Sequence, residues 1–272
     1  MTKIDLGDRM KMYEAMETGR KCMPLLPVCA RLDGRSFSQF TKGMERPFDQ
    51  RLTDVMLETT RFLVHETNAC MGYTNSDEIT LAWYSDNTSS QIFFNGRLFK
   101  MTSTLSALAS VKFNQLASQH WPELVTKAMP VFDCRVFQLP TLAEASNVFL
   151  WREREGTRNS ISMACQHHYS HKTLQGKSRA EQHELLFQKG VNWNDYPASF
   201  KRGTYLQRRK VQRPFTEEEI ARIPEAHRPS PDALITRSDI IQLDMPPFGK
   251  VINRVEVIFQ GEEPQLAEES DE

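Results

Sequence analysis

Three acidic residues stand at the ends of apolar runs. Asp33 closes the stretch Leu25-Leu26-Pro27-Val28-Cys29-Ala30-Arg31-Leu32 and is followed by Gly34-Arg35-Ser36-Phe37-Ser38. Asp77 and Glu78 follow Ser76 and precede Ile79-Thr80-Leu81-Ala82-Trp83-Tyr84. Carboxylates gathered in one place repel unless a cation lies among them. Mg2+ answers that need, because it prefers hard oxygen ligands and is usually held by one or two carboxylates plus substrate phosphates. A pair of such ions serves an in-line phosphoryl displacement, at the attacking and at the leaving oxygen. Asp33, Asp77 and Glu78 are therefore the catalytic candidates, with Asp33 and Asp77 as metal ligands.

Around them lie groups suited to phosphates. A glycine lets a ligand approach the backbone, and successive N–H groups over Gly34, Arg35, Ser36, Phe37 and Ser38 would form an anion-binding concavity. Lys42, Arg46 and Lys100 are cations placed to reach a triphosphate, and Ser76 stands beside Asp77. Each motif alone has an ordinary reading, since Asp-Gly is common in turns and Ser-Asp-Glu can cap a helix. Their joint occurrence at two strand ends is what points to a site.

The elements around the motifs decide whether they meet. Residues 25–32 read as a buried strand, being a short apolar run bounded by turn signals. Phe48–Cys70 reads as an amphipathic helix with Leu52, Val55, Met56, Thr59, Phe62, Leu63 and Glu66 on one face and Asp49 near its start. Residues 71–74 and 79–84 read as paired strands. A second helix spans about Arg97–His120, with a stripe of small residues at Ser103, Ala107, Ser110 and Asn114 suited to lying close against a sheet or ligand. Val131–Leu139 reads as a fourth strand, and 8–16 as a short leading helix. Trp83, Trp151 and Phe62 are expected in the core. The order strand, helix, strand, strand, helix, strand gives an α+β, ferredoxin-like βαββαβ antiparallel sheet with helices on one face. In that arrangement the first strand lies antiparallel to the third, which brings Asp33 to Asp77 and Glu78.

The 272 residues suffice for one large or two modest domains. No apolar run approaches the roughly 20 residues of a membrane helix, so no membrane partner is expected. The first residues carry no apolar signal core. The five cysteines are widely spaced and odd in number, which fits a reducing cytoplasm. His167, His168 and His171 with Cys165 lack the paired-ligand spacing of zinc sites and read as surface. Residues 262–272 are acidic without a basic residue and are expected to be a disordered tail. Between Arg152 and Arg213, thirteen Lys or Arg face five Asp or Glu. That bias marks the stretch as a polyanion surface, with Arg152, Arg158, Asn159, Lys201, Arg202, Arg208, Arg209 and Lys210 as its candidate contacts. The alternative is a solvated helical face.

Leu32-Asp33-Gly34-Arg35-Ser36-Phe37-Ser38-Gln39-Phe40-Thr41-Lys42-Gly43, the Ser76-Asp77-Glu78 turn, Trp151-Arg152 and Lys201-Arg202-Gly203-Thr204 resemble the tRNA(His) guanylyltransferase family, the 3′–5′ polymerases. The resemblance covers roughly residues 25–210 in the same order. It implies a polymerase palm, which we read over 1–140, followed by a basic helical RNA-binding region and closing hairpin over 141–261 (Ile240–Leu243 and Lys250–Phe259 as strands) and the tail over 262–272. It implies Asp33, Asp77 and the Gly34 carbonyl as ligands of two Mg2+ ions, Glu78 as an essential neighbour, and GTP at 33–38 and 76–77. It further implies activation of a tRNA 5′-phosphate by ATP or GTP, attack by the 3′-hydroxyl of an incoming nucleotide, pyrophosphate loss, and a homo-oligomer, a tetramer or dimer. One departure is local. Eukaryotic members carry His-Ile-Asn-Asn shortly after Trp-Arg, whereas this chain has Thr157-Arg158-Asn159-Ser160. That resembles the broader 5′-end repair branch, which acts on tRNA or similar RNA. Rival readings are another palm enzyme, such as a nucleotidyl cyclase or forward polymerase, and an RNA-binding module with an idle palm. Retention of Asp33, Asp77 and Glu78 argues against idleness, because unneeded clustered acids only destabilise.

Overall fold

The computed structural model describes residues 4–230 and 232–267. In chain order the helices and strands are α1 (Leu6–Thr18), β1 (Val28–Arg35), α2 (Phe37–Phe40), α3 (Gln50–Thr67), β2 (Met71–Asn75), β3 (Glu78–Trp83), α4 (Leu98–Ala117), α5 (Pro122–Ala128), β4 (Val131–Gln138), α6 (Leu142–His168), α7 (His171–Leu174), α8 (Arg179–Gln188), α9 (Ala198–Arg202), β5 (Thr204–Pro214), α10 (Glu217–Ala221), β6 (Leu234–Leu243) and α11 (Arg254–Phe259). No helix among the described residues is long and apolar enough to cross a membrane.

The six strands form one sheet in the order β4-β1-β3-β2-β5-β6, every neighbouring pair antiparallel. As the βαββαβ order predicts, β1 lies beside β3. Alternation along the strands sends Ala30 and Leu32 to one face and Cys29 to the other. The first face is covered by α3 and α4, whose Val55, Met56, Leu63, Leu105, Ala109 and Phe113 fill the larger core. The second is covered by α6 and α11, with Phe149, Tyr205, Phe248 and Val257 between them and the sheet. A small third cluster joins α6 to α8 through Ala164, Cys165 and Leu186.

Asp49 caps α3, its carboxylate accepting from the Arg51 N–H, and Asn68 ends the helix in the left-handed conformation that short polar side chains tolerate. Thr59, Thr60 and Thr67 are buried on the α3 face because each hydroxyl donates to the carbonyl four residues earlier, at 2.7, 2.8 and 2.7 Å. Glu66, expected on that face, is exposed.

Other boundaries differ from the sequence reading. The first strand begins at Val28, because Leu25 has a positive φ of 63° and Pro27 supplies no N–H. It runs on through Asp33 and Gly34 to Arg35, since β4 pairs with it out to Arg35↔Val131. On α4 the buried stripe is Met101, Leu105, Ala109, Phe113 and Ala117, while Ser103 and Ala107 are exposed. Ser110 and Asn114 do bind the sheet: the Phe132 N–H donates to Ser110 Oγ at 3.0 Å and Asn114 Nδ2 to the Pro130 carbonyl at 2.6 Å. Residues 204–214 are a strand, not part of a helical region, so the sheet crosses the boundary expected near 140. The hairpin strand expected over Lys250–Phe259 is instead helix α11. Residues 262–267 are packed rather than loose: Gln207 Nε2 donates to the Glu262 carbonyl at 2.8 Å and the Ile252 N–H to the Gln265 carbonyl at 2.9 Å. The rest of the expected tail, 268–272, lies outside the described residues.

Candidate active site

The β1–β3 register sets Asp33 opposite Glu78. The Gly34 N–H donates to the Asp77 carbonyl at 3.0 Å, which ties the Ser76-Asp77 turn to the end of β1. Ser76 adopts a left-handed φ of 54° and its hydroxyl lies 3.2 Å from Asp77 Oδ1. On the other side of β1, Asp133 of β4 stands opposite Asp33. Directly paired residues share a face, so Asp33, Glu78 and Asp133 all project toward α6.

Gly156 explains how closely that helix approaches. A Cβ there would lie 2.7 Å from Asn75 Oδ1 and 3.1 Å from the Tyr73 hydroxyl. One turn earlier, Arg152 grips Glu78 bidentately, with Nη2 to Oε2 at 2.6 Å. Asn159, Ser162, Met163 and Gln166 continue the α6 wall of the cleft, and Arg31 lies on its floor. Burial pushes the Asp77 carboxyl above the usual range, and the charge of Asp33 pushes it further. Burial also raises Glu78, with Asp33 adding to it, while Arg152 and Arg31 pull the other way. The cleft is thus a place where negative charge is held against its preference.

Beyond β1, Ser36 turns the chain with a φ of 58° into the single turn α2. The Phe37 ring is buried and lies against Gly34, where a Cβ would meet it at 2.4 Å. Gly34 is glycine to admit that ring, and its N–H is already given to Asp77, so the expectation that Gly34 offers its amide to a ligand is corrected. Phe37 can contribute only its backbone. Arg35, Ser36 and Ser38 are exposed beside the cleft. The loop after α2 walls a second pocket next to Ser76, lined by Thr41, Arg46, Asp49, Asn75, Ser160 and Phe200 among others. Asp49 has no free acceptor there, since both its oxygens are taken by Arg51 and by the Arg51 and Glu45 N–H groups. Lys42 is exposed on this loop but does not line the pocket.

Lys100 is a correction. It sits at the start of α4, its ammonium 5.9 Å from the centre of the Phe94 ring. Asp33 faces α6, whereas α4 covers the opposite face of the sheet and meets Phe132 through Ser106, Ser110 and Phe113.

The candidate RNA contacts disperse. Arg152 is committed to Glu78, and Asn159 faces the acidic cleft. Arg158 is exposed on the outer face of α6 and pairs with Glu155. Lys201 donates to the Asn194 carbonyl and lies over the Trp193 ring. Arg202 ends α9 with its carbonyl accepting from the Tyr73 hydroxyl at 2.8 Å. Arg208 donates to the Val64, His65 and Ala69 carbonyls at the end of α3, and Arg209 pairs with Glu263. Only Lys210 of that run is exposed. Arg208 is part of the fold, because carbonyls left over at a helix end need donors.

Trp151, expected in the core, is 47% exposed with the Arg152 guanidinium 4.5 Å and the Arg31 guanidinium 5.7 Å from its ring. Sequence reasoning also missed Arg31, whose place two residues before Asp33 on one strand puts both on the same face. It missed Glu153 as well, a buried carboxylate accepting from the Phe248 N–H at 2.8 Å and the Tyr205 hydroxyl at 3.0 Å. No local signal marks Glu153. Among the described residues no three His, Cys, Asp or Glu side chains form an all-protein metal cage.

Residues 7–140 match the family model described as tRNAHis guanylyltransferase. A bacterial tRNA(HIS) guanylyltransferase-like protein, solved in complex with ATP, is 31% identical over 94% of this chain and 98% of its own, with a TM-score of 0.74. Such a protein in complex with GTP is 28% identical over the same shares, with a TM-score of 0.68. The tRNA(His) guanylyltransferase of Schizosaccharomyces pombe is 25% identical over 227 residues, 77% of this chain and 83% of that enzyme.

Proposed function

This chain belongs to the tRNA(His) guanylyltransferase family of nucleotidyltransferases, and from that membership we propose that it is a Mg2+-dependent enzyme adding nucleotides to the 5′ end of tRNA or similar RNA in the 3′–5′ direction. The observation that carries the reading is the convergence of Asp33, Asp77 and Glu78, tied by the hydrogen bond from Gly34 to Asp77 and flanked by a pocket beside Ser76. The carboxylates fit Mg2+. Asp77 is raised first by burial and further by Asp33 beside it, and an incomplete carboxylate set is what this ion takes when phosphates complete its shell.

Asp33 and Asp77, with the Gly34 carbonyl, are the groups that would hold the metal, which would supply charge neutralisation at the reacting phosphate. Arg152 orients Glu78 beside them. The exposed backbone after Asp33 receives the triphosphate, and the pocket walled by the 41–49 loop receives the base, with Arg46 at its edge. ATP or GTP first activates the RNA 5′-phosphate. The RNA 5′-phosphate displaces pyrophosphate from that activating triphosphate, and the 3′-hydroxyl of an incoming nucleotide then attacks the RNA 5′-phosphate and displaces the attached nucleoside monophosphate.

Substrate choice follows from Thr157-Arg158-Asn159-Ser160. Ser160 is buried and structural, accepting from Trp193 Nε1 at 3.2 Å, and Asn159 faces the cleft rather than a distant anticodon. Selectivity is left to pairing of the incoming nucleotide with the opposing strand.

The test is incubation with 5′-phosphorylated tRNA(His) and a second tRNA, each lacking its first nucleotide, with every NTP in turn. Templated addition to both is expected. Asp33→Ala and Asp77→Ala should each lower the rate by about a hundredfold or more, as loss of several kcal/mol of charge stabilisation implies. Strong preference for tRNA(His) with untemplated guanosine would favour the narrower role. Extension at 3′ ends only, or cyclisation of the NTP, would favour the rival palm enzymes.

A further inference from the structure

The outer face of α6 carries a groove that the reaction above does not use. It is lined by Asn147, Leu150, Trp151, Arg154, Arg158 and, at the start of α8, Arg179. Asn147, Trp151, Arg154 and Arg158 recur every three or four residues and so form one stripe, about 16 Å long at 1.5 Å per residue. The nearby carboxylates are Glu155, paired with Arg158, and Glu144, hydrogen-bonded to Asn147. Arg154 and Arg179 are exposed and make no ion pair among the described residues.

Trp151 is the distinctive member. Trp83 and Trp121 are 2% and 9% exposed, whereas the Trp151 indole is left half in water among guanidinium groups. Its ring is flanked by Arg31 and Arg152, which both line the acidic cleft. Groove and cleft therefore share a rim.

We propose that this groove holds the RNA strand leading to or from the acidic cleft, Trp151 stacking a base and Arg154, Arg158 and Arg179 contacting phosphates. The inference rests on the reading that the chain acts on RNA. Arginine forks match phosphate oxygens, and bases stack on indole and guanidinium planes whatever their sequence. An acidic peptide would satisfy the arginines but offer Trp151 nothing flat to stack on. The RNA face thus moves from the 208–210 run to the α6–α8 groove.

The test uses the full chain and fluorescently labelled, 5′-phosphorylated tRNA lacking its first nucleotide, with affinity measured by anisotropy across a salt series. Arg154→Ala combined with Arg179→Ala should weaken binding roughly tenfold or more and flatten the salt slope by about 1.5 to 2, for two lost phosphate contacts. Trp151→Ala should weaken binding about tenfold, with Trp151→Phe restoring most of it. ATP and GTP affinity should not change in the double arginine variant. Unchanged RNA affinity and slope in that variant, with the unmutated chain active in 5′ extension, would overturn the groove assignment alone. Equal losses in Trp151→Phe and Trp151→Ala would overturn the stacking role. Displacement of the RNA by poly-glutamate at comparable concentration, lost in the same variants, would make an acidic protein the occupant. An unmutated chain that extends no RNA would instead overturn the functional reading beneath the proposal.

Discussion

Glu78 and Arg152 lie 74 residues apart in the chain, yet their side chains are 12–13% exposed and share two short hydrogen bonds. Arg152→Ala would leave a half-buried carboxylate beside Asp33 without its counter-charge, so a stability loss of about 3 kcal/mol is expected in chemical denaturation. Extension activity should fall with it, and Arg152→Lys should recover only part, because an ammonium cannot reproduce the fork. Glu153, the next residue, faces the opposite problem. Burial is the first cause of its raised pKa, against the Phe248 N–H and the Tyr205 hydroxyl. Between the ordinary glutamate value and the raised one, the unfolded chain has lost a proton that the folded chain keeps. Stability contributed by this group is therefore present below the ordinary value and is lost as pH rises through the raised one. Denaturant midpoints of Glu153→Gln should gain on those of the unmutated chain as pH rises across that window; parallel curves would refute this. The acids at 33, 77 and 78 were legible because motif and strand order agree. Arg152, Glu153 and Trp151 were not, because charge and aromaticity along a helix do not say which residues face the sheet.

At the scale of elements, β5 shows why composition misled. Arg208-Arg209-Lys210 reads as a basic surface, but a strand inside a sheet spends its charges on neighbours. Arg208 closes the end of α3, giving its guanidinium to the Val64, His65 and Ala69 carbonyls. Arg208→Ala should lower stability by roughly 1.5–3 kcal/mol, as lost charge-assisted hydrogen bonds do. Its salt slope for RNA binding should match the unmutated chain; a flatter slope would return this residue to the RNA face. The helical region expected after 141 is present as α6 to α9, and β5 ends it at Thr204. Tyr205, Leu206 and Gln207 are all buried at its start, which a window judged by charge alone overlooks. The strands β1 to β4 and helices α3 and α4 were readable from periodicity. The helix α11 was not, because six residues hold too few turns to display a period.

For the whole molecule, the sheet is finished by a strand from beyond the expected boundary. The strands β4, β1, β3 and β2 are adjacent and end by Gln138, but β2 keeps one side for β5, through Met71↔Gln207 to Thr74↔Thr204. The face bearing Cys29, Met71, Tyr73 and Ala82 likewise waits for α6 and α11. A chain cut after residue 140 is therefore expected to be insoluble or to lack a cooperative melting transition, measured by calorimetry; a sharp transition would show that the first half folds alone. There is a temporal side to this pairing. On the ribosome, Met71–Asn75 emerges about 130 residues ahead of the strand it needs, so for several seconds at ~20 residues per second or slower a nascent chain presents a bare strand edge above an uncovered apolar face. The β2–β5 contact makes the middle of synthesis the hazardous interval for this protein, and holdase chaperones should associate with nascent chains of intermediate length and leave once residues near Leu206 have cleared the exit tunnel.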